Sequence, residues 1–113
     1  TNDRAPAIVA VKPVVALYAG GMGAKELNFH AQVYRRMGYE KQVAEIAELF
    51  LSGRKEEAAA AVPDEMVTDT MIIGDEQQVR AGIAEWEAAG VTMLLITCHD
   101  VAQIRSLAAL VQS

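Results

Sequence analysis

Apolar residues recur through most of this chain at spacings of three and four, the period of a helix that buries one face. Ile8, Val11, Val15 and Tyr18 predict a first helix, opened by Asn2 or Asp3 and ending near Ala19. Pro13 sits inside it; proline lacks an N–H and crowds the preceding turn, so a kink or restart is expected there. Leu27, Ala31, Tyr34 and Met37 predict a second helix from Ala24 to about Met37, closed by Gly38. Val43, Ile46, Ala47, Phe50 and Leu51 mark a third, from Glu40 to the Ser52-Gly53 stop. Residues Arg54 to Val62 form a short helix favoured by alanine propensity. Pro63 suits the first position of another, which carries Met66 and Val67 towards Gly74.

The pattern changes after Gly74. Asp75 is placed to cap a helix with Val79, Ile83 and Trp86 on one face, and Gly90 is placed to stop it. Val91 to Thr97 then has no polar alternation, which predicts a strand buried on both faces. Asp100 caps a last helix bearing Val101, Ile104, Leu107, Ala108 and Val111. Helix, glycine, buried strand and helix in that order are the grammar of α/β proteins. Only one strand is clear, and its free N–H and C=O groups need partners. Met71-Ile72-Ile73 is too short a run to count as a second. The chain therefore reads as one segment, with a helical region over 1–73 and a helix–strand–helix unit over 74–113.

Composition narrows the function classes. The 113 residues are 52% hydrophobic with a formal net charge of −5, and the basic residues are scattered apart from Arg35-Arg36 and Arg54-Lys55. An acidic chain without a basic patch argues against a nucleic-acid partner. No apolar run reaches the ~18 residues of a membrane span. The N-terminus lacks the pattern of a signal peptide. Cys98 is the one cysteine, which fits a reducing, cytoplasmic setting.

Candidate chemistry is sparse. Gly20-Gly21-Met22-Gly23 allows either a backbone loop against a ligand or a helix C-cap and linker, and the residues alone favour the linker. It is not a phosphate-binding fingerprint. His30 has a titratable ring but no evident partner. Cys98-His99-Asp100 contains the residue types of a nucleophile set, yet adjacent residues at a strand end point in different directions. Two histidines and one cysteine without close spacing predict no metal site.

Taken together in order, several pieces resemble the luciferase-like oxidoreductases that use flavin or deazaflavin. They are Leu17-Tyr18-Ala19-Gly20-Gly21-Met22-Gly23, Asn28-Phe29-His30, Arg36-Met37-Gly38-Tyr39, and Gly53-Arg54-Lys55 with Ala58 to Val62. Pro63-Asp64-Glu65, Val67, Gly74 and Ala89-Gly90-Val91 with the apolar run after it continue the likeness. The resemblance implies the C-terminal third of a (β/α)8 barrel, with Val91 to Thr97 as its last strand. It also implies coenzyme F-420 or FMN as cofactor, with hydride passing to or from a small organic substrate. Tyr18, Gly20, Gly21 and Met22 would line the mouth of the cofactor pocket, with Asn28 and His30 near the substrate. No residue is assigned a chemical step, and the chain alone is expected to be inactive. Its partners would be the rest of the barrel or further copies of itself. A helical interaction module without enzymatic activity is the alternative, and a small enzyme built on Cys98 and His99 is a third.

Overall fold

A computed structural model of the chain describes residues 1–24 and 27–112. It divides into two units, Ala5–Met71 and Thr1–Arg4 with Ile72–Ser113. Among the described residues there are seven helices and no strand.

The Ala5–Met71 unit is built on α1 (Arg4–Gly20), α2 (Phe29–Arg36), α3 (Glu40–Leu51), α4 (Lys55–Ala60) and α5 (Asp64–Thr68). Its core gathers one stripe from each: Val15, Ala16 and Ala19 of α1, Ala31 of α2, Val43, Ile46 and Ala47 of α3, Ala58 of α4, and Met66 and Val67 of α5. Val62, between the last two, is buried with them. Glycines at the end of α1 bring its backbone against α3, whose branched residues Val43 and Ile46 are fully buried in this core. The helical assignment of α1 is continuous through Pro13. Its buried stripe turns towards Ala16 and Ala19, leaving Tyr18 on the open side. Pro63 is the residue before α5 rather than its first, with the extended backbone of a cap.

The expected second helix begins later than its apolar pattern predicts. Asn28 caps it, and Leu27 is 79% exposed; the part of the expected helix over 25–26 lies outside the described residues. The predicted glycine stops are in place. Gly90 has φ +100°, and behind it the Val91 amide donates to the Trp86 carbonyl at 3.0 Å while the Gly90 amide donates to Glu87. This is the Schellman closure, which needs a left-handed residue that only glycine supplies without strain. Gly38 and Gly53 close α2 and α3 the same way.

The other unit holds α6 (Glu76–Ala88) and α7 (Val101–Gln112). Asp75 opens α6 with a full capping box: its carboxylate accepts from the Gln78 amide at 2.9 Å, and the Gln78 side chain accepts from the Asp75 amide at 2.9 Å. Asp100 caps α7, accepting from the Gln103 amide at 2.8 Å. The Arg80 guanidinium ties the two helices together by donating to the Leu110 carbonyl at 2.6 Å. Neither helix has a buried residue.

The buried strand expected over 91–97, and with it the α/β class for this segment, is overturned. Residues 91–98 have no regular secondary structure, and Met93 is 77% and Leu95 94% exposed. The physical reason is that a strand exists only by pairing. Its edge N–H and C=O groups need an adjacent extended segment, and the described residues offer none. An unbroken apolar run tells what a segment would bury given neighbours; it does not supply them.

Candidate functional site

Of the residues singled out in the sequence, Tyr18, Asn28 and His30 meet at the junction of α1 and α2. Asn28 holds that junction. Its amide nitrogen donates to the carbonyls of Tyr18 at 2.9 Å and Ala19 at 3.3 Å, and its oxygen accepts from the Ala31 amide at 3.1 Å. One side chain thus satisfies carbonyls that end α1 and an amide that begins α2, groups that helices leave open at their ends. Asn28 is 3% exposed.

Gly20 and Gly21 lie where α1 meets α3. A Cβ on Gly20 would stand 3.0 Å from the Ala47 Cα and 3.1 Å from the Ile46 carbonyl oxygen. On Gly21 it would fall 2.4 Å from the Phe50 ring. The backbone of this turn therefore sits directly against α3. Met22 is exposed beyond it.

Tyr18 and His30 come together across the junction. Their rings meet edge to face with centroids 4.8 Å apart, and Phe29 stacks on His30 at 4.2 Å. Tyr18, His30, Val33, Tyr34 and Thr70 wall an open cleft of 340 Å³. Tyr34 stands one helical turn after His30, on the same side of α2. That spacing was visible in the sequence, although Tyr34 reads there as a core position. Thr70 follows α5 and carried no signal. Burial pushes the Tyr34 phenol above its ordinary pKa, the Thr70 hydroxyl beside it opposes the shift, and Tyr18 adds to it. Tyr34 therefore carries its proton throughout the neutral range. Thr70 donates its own proton to the Met66 carbonyl at 2.7 Å.

In the other unit the Asp100 carboxylate serves the cap of α7, and the His99 amide donates to the Gln103 side chain at 3.0 Å. Cys98 is a free thiol beside Leu94, Ile96 and Ile104, in an aliphatic groove of 540 Å³. These positions give Asp100 a structural task and leave Cys98 among aliphatic side chains. Among the described residues no group of three or more His, Cys, Asp or Glu side chains is arranged to hold a metal. None of their helices is long and apolar enough to cross a membrane.

Comparison with known proteins places this arrangement in a family. The model of the luciferase-like monooxygenases matches residues 2–93, and the chain belongs to that family. Within it, the chain is 59% identical over 111 residues to a Mycobacterium tuberculosis protein provisionally named a coenzyme F-420-dependent oxidoreductase. That alignment takes in 98% of this chain and 32% of the relative, so the chain spans about a third of the relative's length. No solved structure gives a significant match.

Proposed function

We propose that this chain is part of a luciferase-like oxidoreductase that passes hydride between a deazaflavin, coenzyme F-420, and a small organic substrate. FMN is the alternative cofactor. The 59% identity across nearly the whole chain to a relative named for F-420 carries the reading. In such an enzyme the cofactor supplies the hydride chemistry, and the protein orients the reactants and excludes water.

The residues present suit only part of such a cofactor. The aromatic wall of Tyr18 and His30 can lie against a planar ring, while Gly20, Gly21 and Met22 are not among the residues that line this cleft. A cleft of 340 Å³ is near the small end of ligand sites, which run from about 300 to 1,000 Å³. Among its described lining residues there is no ammonium or guanidinium for a phosphate-bearing tail. By the family resemblance, Tyr18, Gly20, Gly21 and Met22 form one rim of the cofactor site in this proposal. His30 faces the substrate, and Asn28 keeps His30 in place. Further polypeptide completes the site, so the chain alone neither holds nor turns over the cofactor. The single Cys98 is consistent with a reducing, cytoplasmic setting, which belongs to the same proposal.

Fluorescence titration with deazaflavin and with FMN tests this. Both the 113-residue chain and the full-length mycobacterial relative are titrated. Binding by the relative and not by the chain is expected. Stoichiometric binding by the chain would end the claim that it is incomplete. A relative that takes neither cofactor would end the oxidoreductase reading.

The exposed apolar surface of Trp86, Met93, Leu95 and Ile96 favours a second reading, a helical module that associates through this face. Intact mass with light scattering separates the two. A folded, symmetric oligomer of 12.2 kDa chains would favour the module.

A further inference from the structure

We propose that the cleft walled by Tyr18, His30, Val33, Tyr34 and Thr70 is a binding site for a small, uncharged, planar aromatic compound bearing one carbonyl or hydroxyl group. Binding stands independently of the oxidoreductase reading; only the description of this ligand as a substrate rests on it.

Shape sets the size. A cleft of 340 Å³ has room for a single substituted ring. Its walls set the chemistry. The His30 ring is fixed between Phe29, stacked 4.2 Å away, and Tyr18, edge-on at 4.8 Å. A ligand ring therefore meets aromatic surfaces already held in place, which lowers the ordering entropy that binding must overcome. Aromatic neighbours favour an offset or edge-on ring over a saturated one of the same size.

The polar groups set the substituent. Tyr34 offers a phenolic proton, and Thr70, whose own proton goes to the Met66 carbonyl, offers lone pairs beside it. A ligand carbonyl accepts from Tyr34, and a ligand hydroxyl or amide N–H donates to Thr70. Among the described lining residues there is no carboxylate, ammonium or guanidinium. An ionic ligand would lose hydration on entering and find no permanent opposite charge. The 540 Å³ groove beside α7 lacks this convergence: it is lined by aliphatic side chains and Cys98.

Three probes of similar size isolate these features: benzamide, its saturated counterpart cyclohexanecarboxamide, and the anion benzoate. Each is titrated into the 113-residue chain while NMR follows the ring signals of Tyr18, His30 and Tyr34. Benzamide is expected to shift them saturably, and the other two to bind at least about fivefold more weakly, as befits loss of a ring contact or burial of a charge. Tyr18→Ala, at an exposed position, and Tyr34→Phe, which keeps the ring, are each expected to weaken benzamide binding about three- to tenfold, the scale of one ring contact or one hydrogen bond. An unchanged circular dichroism spectrum establishes that both variants are folded. Equal binding of the three probes, shifts that never saturate, or full affinity in both folded variants would overturn the site. Benzamide binding here, together with a full-length relative that takes no cofactor, would keep the site and remove its role as a substrate pocket. Loss of benzamide binding with cofactor uptake intact would remove the site alone.

Discussion

The Asn28 side chain donates to the carbonyl of Tyr18 at 2.9 Å and, with its other atom, caps the helix that carries His30. The same residue therefore sets the separation of the two rings that form the cleft. Asn28→Ala removes the cap, worth about 0.5–2 kcal/mol. It also leaves carbonyls at the end of α1 without their buried donor, at about 1–3 kcal/mol. The expected loss is about 2–4 kcal/mol, read as a lowered urea midpoint. Asn28→Asp keeps the accepting oxygen but sets a buried carboxylate oxygen against the Tyr18 and Ala19 carbonyls, so near neutral pH its loss should equal or exceed that of Asn28→Ala. An Asn28→Ala protein with an unchanged midpoint would show that the junction is held by something else.

The glycine turn makes a different prediction, because two adjacent glycines face different obstacles. The Cβ of Gly20→Ala meets backbone, the Ala47 Cα at 3.0 Å, and backbone of a packed helix moves little. The Cβ of Gly21→Ala meets the ring of Phe50, which is only half-buried and can turn aside. Overpacking at Gly20 is expected to destabilise by about 1–3 kcal/mol. Phe50→Ala should relieve Gly21→Ala and do little for Gly20→Ala. A double-mutant cycle measures this: coupling above about 0.5 kcal/mol is expected for the Gly21 pair. Equal coupling for both glycines would contradict the geometry.

These two cases show which parts of the structure were legible in the sequence. The stops at Gly38, Gly53 and Gly90 and the caps at Asp75 and Asp100 were readable because each is decided within a few residues of backbone. Asn28 obeys the same local rule, but Leu27 fits the apolar period and extended the expected helix over it. The run at 91–97 failed for another reason. Whether Val91, Met93 and Leu95 sit in a sheet depends on strands elsewhere, and no local pattern contains them. The cleft was half legible: the resemblance pointed to Tyr18 and His30, and the four-residue step to Tyr34 was present. Thr70 enters only through the tertiary fold.

A second pair of residues, Tyr39 and Asp69, makes the pH dependence testable. The Tyr39 hydroxyl donates to the Asp69 carboxylate, joining the start of α3 to the end of α5. That hydrogen bond, with burial and the Asp69 and Glu65 charges behind it, pushes the phenol up to about 12 from its usual 10.0. The folded chain holds this proton more tightly than the unfolded chain does. The resulting stabilisation is full below the unfolded value of 10.0 and is lost as pH rises through about 12. Carbon-13 NMR of the Tyr39 ring should show a midpoint near 12, moving down towards 10.0 in Asp69→Ala. A Tyr39 midpoint that ignores the substitution would mean that the pair does not form in solution.

Leu95 tests the corrected reading of the 91–98 segment. It is 94% exposed, and Trp86, the one tryptophan of the chain, lies in the same unit and reports on it by fluorescence. Leu95→Ser removes apolar surface from water rather than from a core, so its effect on the urea transition followed at Trp86 should stay within about 0.5 kcal/mol. Truncating a fully buried residue such as Ile46 to alanine should lower stability by about 2–5 kcal/mol in the transition of its own unit. The contrast is diagnostic because both residues have four-carbon side chains, and only their surroundings differ. A loss above about 2 kcal/mol at Leu95 would place it against other apolar groups in solution. If that loss also depended on protein concentration, the covering surface would be a second copy of the chain, and the association reading of this face would displace the enzymatic one for the isolated chain.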